Sequence, residues 1–192
     1  MPTSVDLKGQ KATAFTWDAA NNALVSGNVK LVGVIPEGYQ PKTFWAGDWT
    51  VNYNSTKSFP LKLTQAGGNN FNGEFTIDGK TYKAVFKYNT GKGSLSLVKQ
   101  EIDDPSNTYP KLMWLGASMP ASQVALSEGT GFDVIWDKTT NKAMFIDNGK
   151  APTVSVNSFA LIALDANGQY VTRDNGSVVA VEIVSNITSM TK

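Results

Sequence analysis

The stretch TFWAGDWTVNY, residues 43–53, sets two tryptophans and a tyrosine around one Gly-Asp pair, directly after the proline-bearing segment VIPEGYQPK. Side chains on a straight strand alternate between faces. Trp45, Trp49, Val51 and Tyr53 therefore share one face, and Gly47 lies between the tryptophans, where it opens a gap or lets the strand bend. Such a stripe has two uses. It can line a core, with Trp49 plugging one end of a barrel. Alternatively, flat rings with a polar edge can wait on a surface for a sugar face. Trp49 is assigned to the core, and Trp45 stands between the two readings.

Working outward, the strand signal returns about every ten residues, the spacing of an antiparallel sandwich or barrel. KATAFTW, ALVSGNVKLVGVI, SFPLKLTQ, FNGEFTI, TYKAVFKY and SLSLVKQ read as strands. So do LMWLG, FDVIW, KAMFID, TVSVNSFALIAL, YVTR and SVVAVEIVSNITSM. DGK between two of them marks a tight hairpin, because Asp-Gly accepts the positive φ angles of a type I′ turn. EIDDPSNTYPK is the longest polar loop, and ASMPASQVALSEGTG reads as a second loop with one helical turn at ASQVAL. FTWDAANNAL and VIWDKTTNKA share a Trp-Asp-x-x-x-Asn frame. Turn chemistry explains the echo: Asp bonds the backbone two residues on, and Asn tolerates the left-handed conformation. The 192 residues are expected to form a single β domain, with 1–40 either an N-terminal extension packed on the barrel or the end of a preceding domain.

Composition removes several function classes. There is no cysteine, so neither disulfides nor thiolate metal sites are available, and no histidine, the commonest general base and metal ligand. The net charge is +1 without a basic cluster, which leaves no footprint for a nucleic acid. No apolar run reaches the roughly 18 residues of a membrane span. The opening MPTSVDLKGQ carries no signal-peptide pattern. That fits an intracellular protein, or a mature form whose export signal has been removed.

Candidate chemistry is sparse. Glu101, Asp103 and Asp104 cluster in the long loop, but a glycosidase needs two carboxyl groups facing each other at a set separation. A solvated loop accounts for them, and a non-enzymatic protein is expected. EIDD and DANG do not fit the twelve-residue calcium pattern. Met113, Met119 and Met144 read as core gap-fillers, not haem ligands. No metal and no cofactor are expected. Tyr109 and Trp114 flank the polar loop and are expected nearer to solvent than the strand rings. Trp17 and Trp136 end strands beside Asp-led turns, where they cover barrel ends or stand at a rim.

Gly47-Asp48-Trp49 opening a strand, followed by a β-meander, resembles the Gly-x-Trp opening of lipocalin-like (calycin) barrels. The resemblance covers residues 43–100 by motif and the remainder by strand count. It implies that Trp49 packs across the closed end and that the open end takes a small ligand. In texture, GDWTVNY, WDKTTNKAMFIDNG, VNSFALIALDANGQYV and NITSMTK are similar to β-rich domains of outer-membrane lipoproteins from Bacteroides-type bacteria. That similarity implies an exported protein, lipidated upstream, at the outer membrane, cell surface or periplasm, which binds polysaccharide without cleaving it.

The expectations are then an all-β fold, either an antiparallel lipocalin-like barrel or a strongly curved β-sandwich, with an added N-terminal hairpin. Trp45, Trp114, Tyr109 and Trp136 would stack on carbohydrate. Asp103, Asp104 and Asn107 would bond its hydroxyls, while Gly47 and Trp49 would be structural. Two alternatives stand beside this. One is a carrier holding a small apolar ligand inside the barrel. The other is a structural or adhesion domain whose edge strands pair with a partner chain.

Overall fold

Asp78 and Gly79 adopt φ of 48° and 78°, the two left-handed residues of a type I′ turn, and Ile77 pairs directly with Lys80 across them. The turn is one of a series that makes this chain a meander. A computed structural model describes residues 5–7, 10–12, 14–18, 20–21, 23–33, 35–117, 132–147 and 157–192. The chain expected as one domain divides into two compact units, Met1–Tyr39 and Gln40–Lys192. The expected helical turn at 121–126 lies outside the described residues.

The first unit holds β1 (Val5–Leu7) paired with β2 (Gln10–Ala12), and a three-stranded sheet of β3 (Thr16–Asp18), β4 (Ala23–Ser26) and β5 (Val29–Val32). Residues 23–35, expected as one long strand, instead fold back on themselves. Ser26 pairs with Val29, and Gly27 has φ of 56°, so Gly27-Asn28 is a two-residue hairpin turn. The expected strand over 11–17 is likewise divided, between β2 and β3.

The second unit is a closed antiparallel barrel of eight strands. In ring order these are β6 (Gly47–Tyr53), β7 (Lys57–Gln65), β8 (Asn70–Ile77), β9 (Lys80–Asn89), β10 (Ser94–Leu97), β13 (Phe132–Asp137), β14 (Lys142–Asp147) and β16 (Ala180–Thr191). Each pairs with the next, and β16 closes the ring on β6 from Tyr53↔Ile187 to Thr50↔Thr191. Three further strands, β11 (Gln100–Ile102), β12 (Lys111–Ala117) and β15 (Asn157–Leu164), form a flap joined to the ring through β16. β16 is forked. Its second half bonds β14 on the edge opposite β6, and its first half bonds β15 on that same edge.

The core follows from alternation. On β7 Phe59, Leu61 and Leu63 point inward, and on β9 Tyr82, Ala84, Phe86 and Tyr88 do, while their neighbours face water. Each large apolar side chain so buried contributes about 1.5–3 kcal/mol. The space left among Phe75, Trp114, Phe159 and Ile187 is about 10 Å³, at the lower limit for even one water. Among the described residues, side chains fill this part of the barrel.

One end is sealed by the segment that precedes β6. Pro41 leads into a 3-10 turn over Lys42–Trp45, so Trp45 does not share the face of a strand with Trp49, as the alternation predicted. It enters the barrel from the turn. Its indole Nε1 donates to the Gly93 carbonyl at 3.1 Å, and Trp49 Nε1 donates to the Trp45 carbonyl at 2.9 Å. The two rings stack with centroids 5.8 Å apart. Gly47 opens no gap on the inner face; it is exposed and holds φ of 120°, a value that suits glycine at the corner between turn and strand. Phe44 packs edge-on to Trp136 at 4.9 Å, and the Lys192 ammonium lies 4.8 Å from the Phe44 ring centre and 4.9 Å from that of Trp49.

Candidate functional site

After Ser96↔Lys87 the pairing of β10 with β9 stops. Val98 and Lys99 leave the ladder, and the chain turns away into β11 to pair with β12. The edge of β9 from Val85 back to Lys80 would be bare but for Gln100. The Gln100 side-chain oxygen accepts the Val85 N–H at 2.8 Å, and its amide nitrogen donates to the Val85 carbonyl at 3.0 Å. A primary amide carries the same donor and acceptor as a peptide group, so one side chain stands in for one residue of an absent strand. Beyond that bridge β9 and β11 part.

The parting opens an outward-facing cleft of about 360 Å³, within the range of small-ligand sites. Asn72, Glu74, Lys83 and Val85 form one wall, and Gln100, Glu101, Asp103 and Lys111 the other. Gly73, Ala84 and Ile102 make the floor. Gly73 is required there, because a Cβ would run into the Phe86 ring beneath it. Lys83 pairs with Glu74 at 3.5 Å across the hairpin, and Lys111 pairs with Asp103 at 2.5 Å. The hydrogen bond from Lys111, ahead of its charge, holds the Asp103 carboxyl below the usual range, with Lys83 across the cleft adding to the effect. The same bond raises Lys111. Among the described residues Glu101 makes neither an ion pair nor a hydrogen bond; its charge reaches Lys111 only at longer range, so it is the cleft carboxylate without a direct partner.

The expected site residues separate into three groups. Asp103 lies in the cleft, as does Glu101. Asp104 and Asn107 serve the loop itself. Asp104 is 5% exposed, and its carboxylate accepts the N–H groups of Ser106, Thr108 and Tyr109, each at 2.9 Å. Asn107 occupies a left-handed position with φ of 53° and donates its N–H to the Asp104 carbonyl. Neither therefore reaches into the cleft as a ligand contact. The rings form the third group. Trp45 is fully buried, and Trp114, expected near solvent, is 3% exposed. The polar loop ends at Pro110, so Trp114 falls on the inward face of β12, where it stacks on Phe159 at 4.4 Å. Neither ring offers a face to an outside ligand. Tyr109 and Trp136 are half-buried and pack against the core. Trp49, at 2% exposure, lies in the core.

Five polar residues of the cleft escaped the sequence reading: Glu74, Lys83, Asn72, Gln100 and Lys111. A signal existed for the first two. Counting outward from Asp78-Gly79 sets Glu74 opposite Lys83 on the outer face. Nothing local marked Gln100, whose partner lies 15 residues away.

A family model described as a domain of unknown function, DUF4987, matches residues 20–162 of the chain. No curated protein and no solved structure matches it.

Proposed function

Because the chain belongs to the DUF4987 family, whose description assigns no activity, we propose a function from the cleft: non-enzymatic binding of carbohydrate by a module of the bacterial cell envelope. The observation that carries this is the cleft between β9 and β11, an open recess of about 360 Å³ bordered by amide, carboxylate and ammonium groups. Such groups bond hydroxyls in pairs, and Val85, 40% exposed, adds an apolar contact for a C–H face. The ligand is thus held by polar contacts in the barrel wall, in place of the ring platform first expected.

Catalysis fits this site poorly. Glycoside cleavage needs one carboxylic acid kept protonated to serve the leaving group. Asp103 is held ionised by Lys111, Glu74 is paired with Lys83, and Glu101 is exposed to water with no apolar pocket around it. The apolar carrier fits less well than the polar cleft, because the space among the described core side chains is about 10 Å³. Envelope placement rests on the likeness in texture to β-rich domains of Bacteroides-type lipoproteins.

Affinity electrophoresis through gels containing soluble polysaccharides tests the reading. At least one polysaccharide should retard the protein. Asn72→Trp, at an exposed cleft residue, should abolish the retardation while leaving circular dichroism unchanged. Absence of retardation by every polysaccharide, or full retardation of Asn72→Trp, would overturn it.

A further inference from the structure

We propose that the cleft is selective for a glycan unit bearing a free ammonium group, and that Glu101 is the residue that reads it. The inference rests on the carbohydrate reading of the same site and names its ligand class. The cleft holds three carboxylates, Glu74, Glu101 and Asp103, and two ammonium groups, Lys83 and Lys111. Each lysine is already matched, Lys83 by Glu74 and Lys111 by Asp103. An anionic sugar entering the cleft has to share each ammonium with a carboxylate that already holds it, and it meets walls carrying three negative charges against two positive. A neutral sugar finds hydroxyl partners but leaves Glu101 as it was. A sugar carrying an amine supplies the one charge that the walls lack.

Position supports the assignment. Glu101 pairs with Met113 in the middle of β11, so a strand fixes its backbone beside the Gln100 bridge. Gln100 is in turn fixed by its two bonds to Val85, which leaves Asn72 as the neutral amide free to orient toward hydroxyls. The charge is outward-facing, so its effect should be moderate and sensitive to salt.

Titration calorimetry with β-linked glucosamine oligomers, their fully N-acetylated counterparts and oligogalacturonate provides the test. The glucosamine oligomers should bind, and Glu101→Gln should weaken them about fivefold, the scale of one exposed ion pair. Raising the salt should erase that difference, while the acetylated and acidic oligomers should bind at least fivefold more weakly than the amine. Equal binding of amine and acetylated oligomers, both blocked by Asn72→Trp, would overturn the selectivity and leave the carbohydrate reading standing. Unchanged affinity in Glu101→Gln would overturn the role of that residue. If no oligomer binds, the selectivity falls, and retardation by any other polysaccharide in the affinity gels leaves the carbohydrate reading standing. Binding of a lysine-rich peptide in preference to every sugar would overturn the glycan class and assign the cleft to protein ligands.

Discussion

At the scale of single residues, the aromatic side chains divide by what their polar atoms do. Trp45 and Trp49 each donate an indole N–H to a carbonyl, so their burial leaves nothing unpaired. Trp49→Ala should cost about 3–5 kcal/mol, read as a lowered urea midpoint, because it empties the sealed end. Tyr82 is the opposite case: its hydroxyl is buried and has no hydrogen-bond partner among the described residues. Tyr82→Phe should therefore stabilise the protein by about 1 kcal/mol in the same assay. Burial, with Glu182, Asp104 and Asp78 adding to it, pushes the Tyr82 phenol up to about 12. The folded state favours the neutral phenol, so this contribution is complete below the ordinary value near 10 and is lost as pH rises through about 12. An alkaline difference spectrum should show one of the six tyrosines ionising last. Residue type could not reveal which ring was which. Trp114 beside a polar loop and Trp45 beside a Gly-Asp pair look alike in sequence, and only the register of β12 and the turn after Pro41 put both inside.

At the scale of elements, hairpins were the legible part. Asp78-Gly79 turns as its chemistry requires. The two Trp-Asp frames also share their mechanism: Asp18 accepts the N–H of Asn21, and Asp137 accepts the N–H of Thr139 and the hydroxyl of Thr140. Gly27-Asn28 was the hairpin missed, although Gly-Asn between two short strand-forming runs is itself a turn signal. The cleft was legible only in fragments, because it is made where pairing stops, and a stop in pairing has no local signature. Gln100→Ala tests the bridge. It removes three hydrogen bonds, two to Val85 and one to the Val98 carbonyl, and leaves the Val85 backbone groups to water, at a cost of about 1–2 kcal/mol. Hydrogen exchange should accelerate at Val85 well beyond that global loss, while Phe86, inside the β8–β9 ladder, should keep its protection. Equal acceleration at both amides would mean that the strand opens as a whole and that Gln100 bridges nothing.

At the scale of the molecule, the two compact units make a separable prediction. A fragment of residues 40–192 should keep the near-ultraviolet dichroism of the stacked Trp45 and Trp49 and unfold in a single transition, since the ring and its sealed end lie within that unit. A collapsed dichroism signal would show that the first 39 residues are needed to fold the barrel. All-β character, antiparallel pairing and the tight turns followed from alternation and spacing; the closure did not, because it joins residues such as Asn54 and Asn186, 132 positions apart. That closure has a consequence in time. During synthesis β6 and β14 leave the ribosome with open edges, and β15 has no bond to the ring. All three are completed by one late strand, β16. Until it arrives the nascent chain carries a curled sheet whose apolar lining faces water, so its exposure to misassembly lasts as long as translation of the intervening residues.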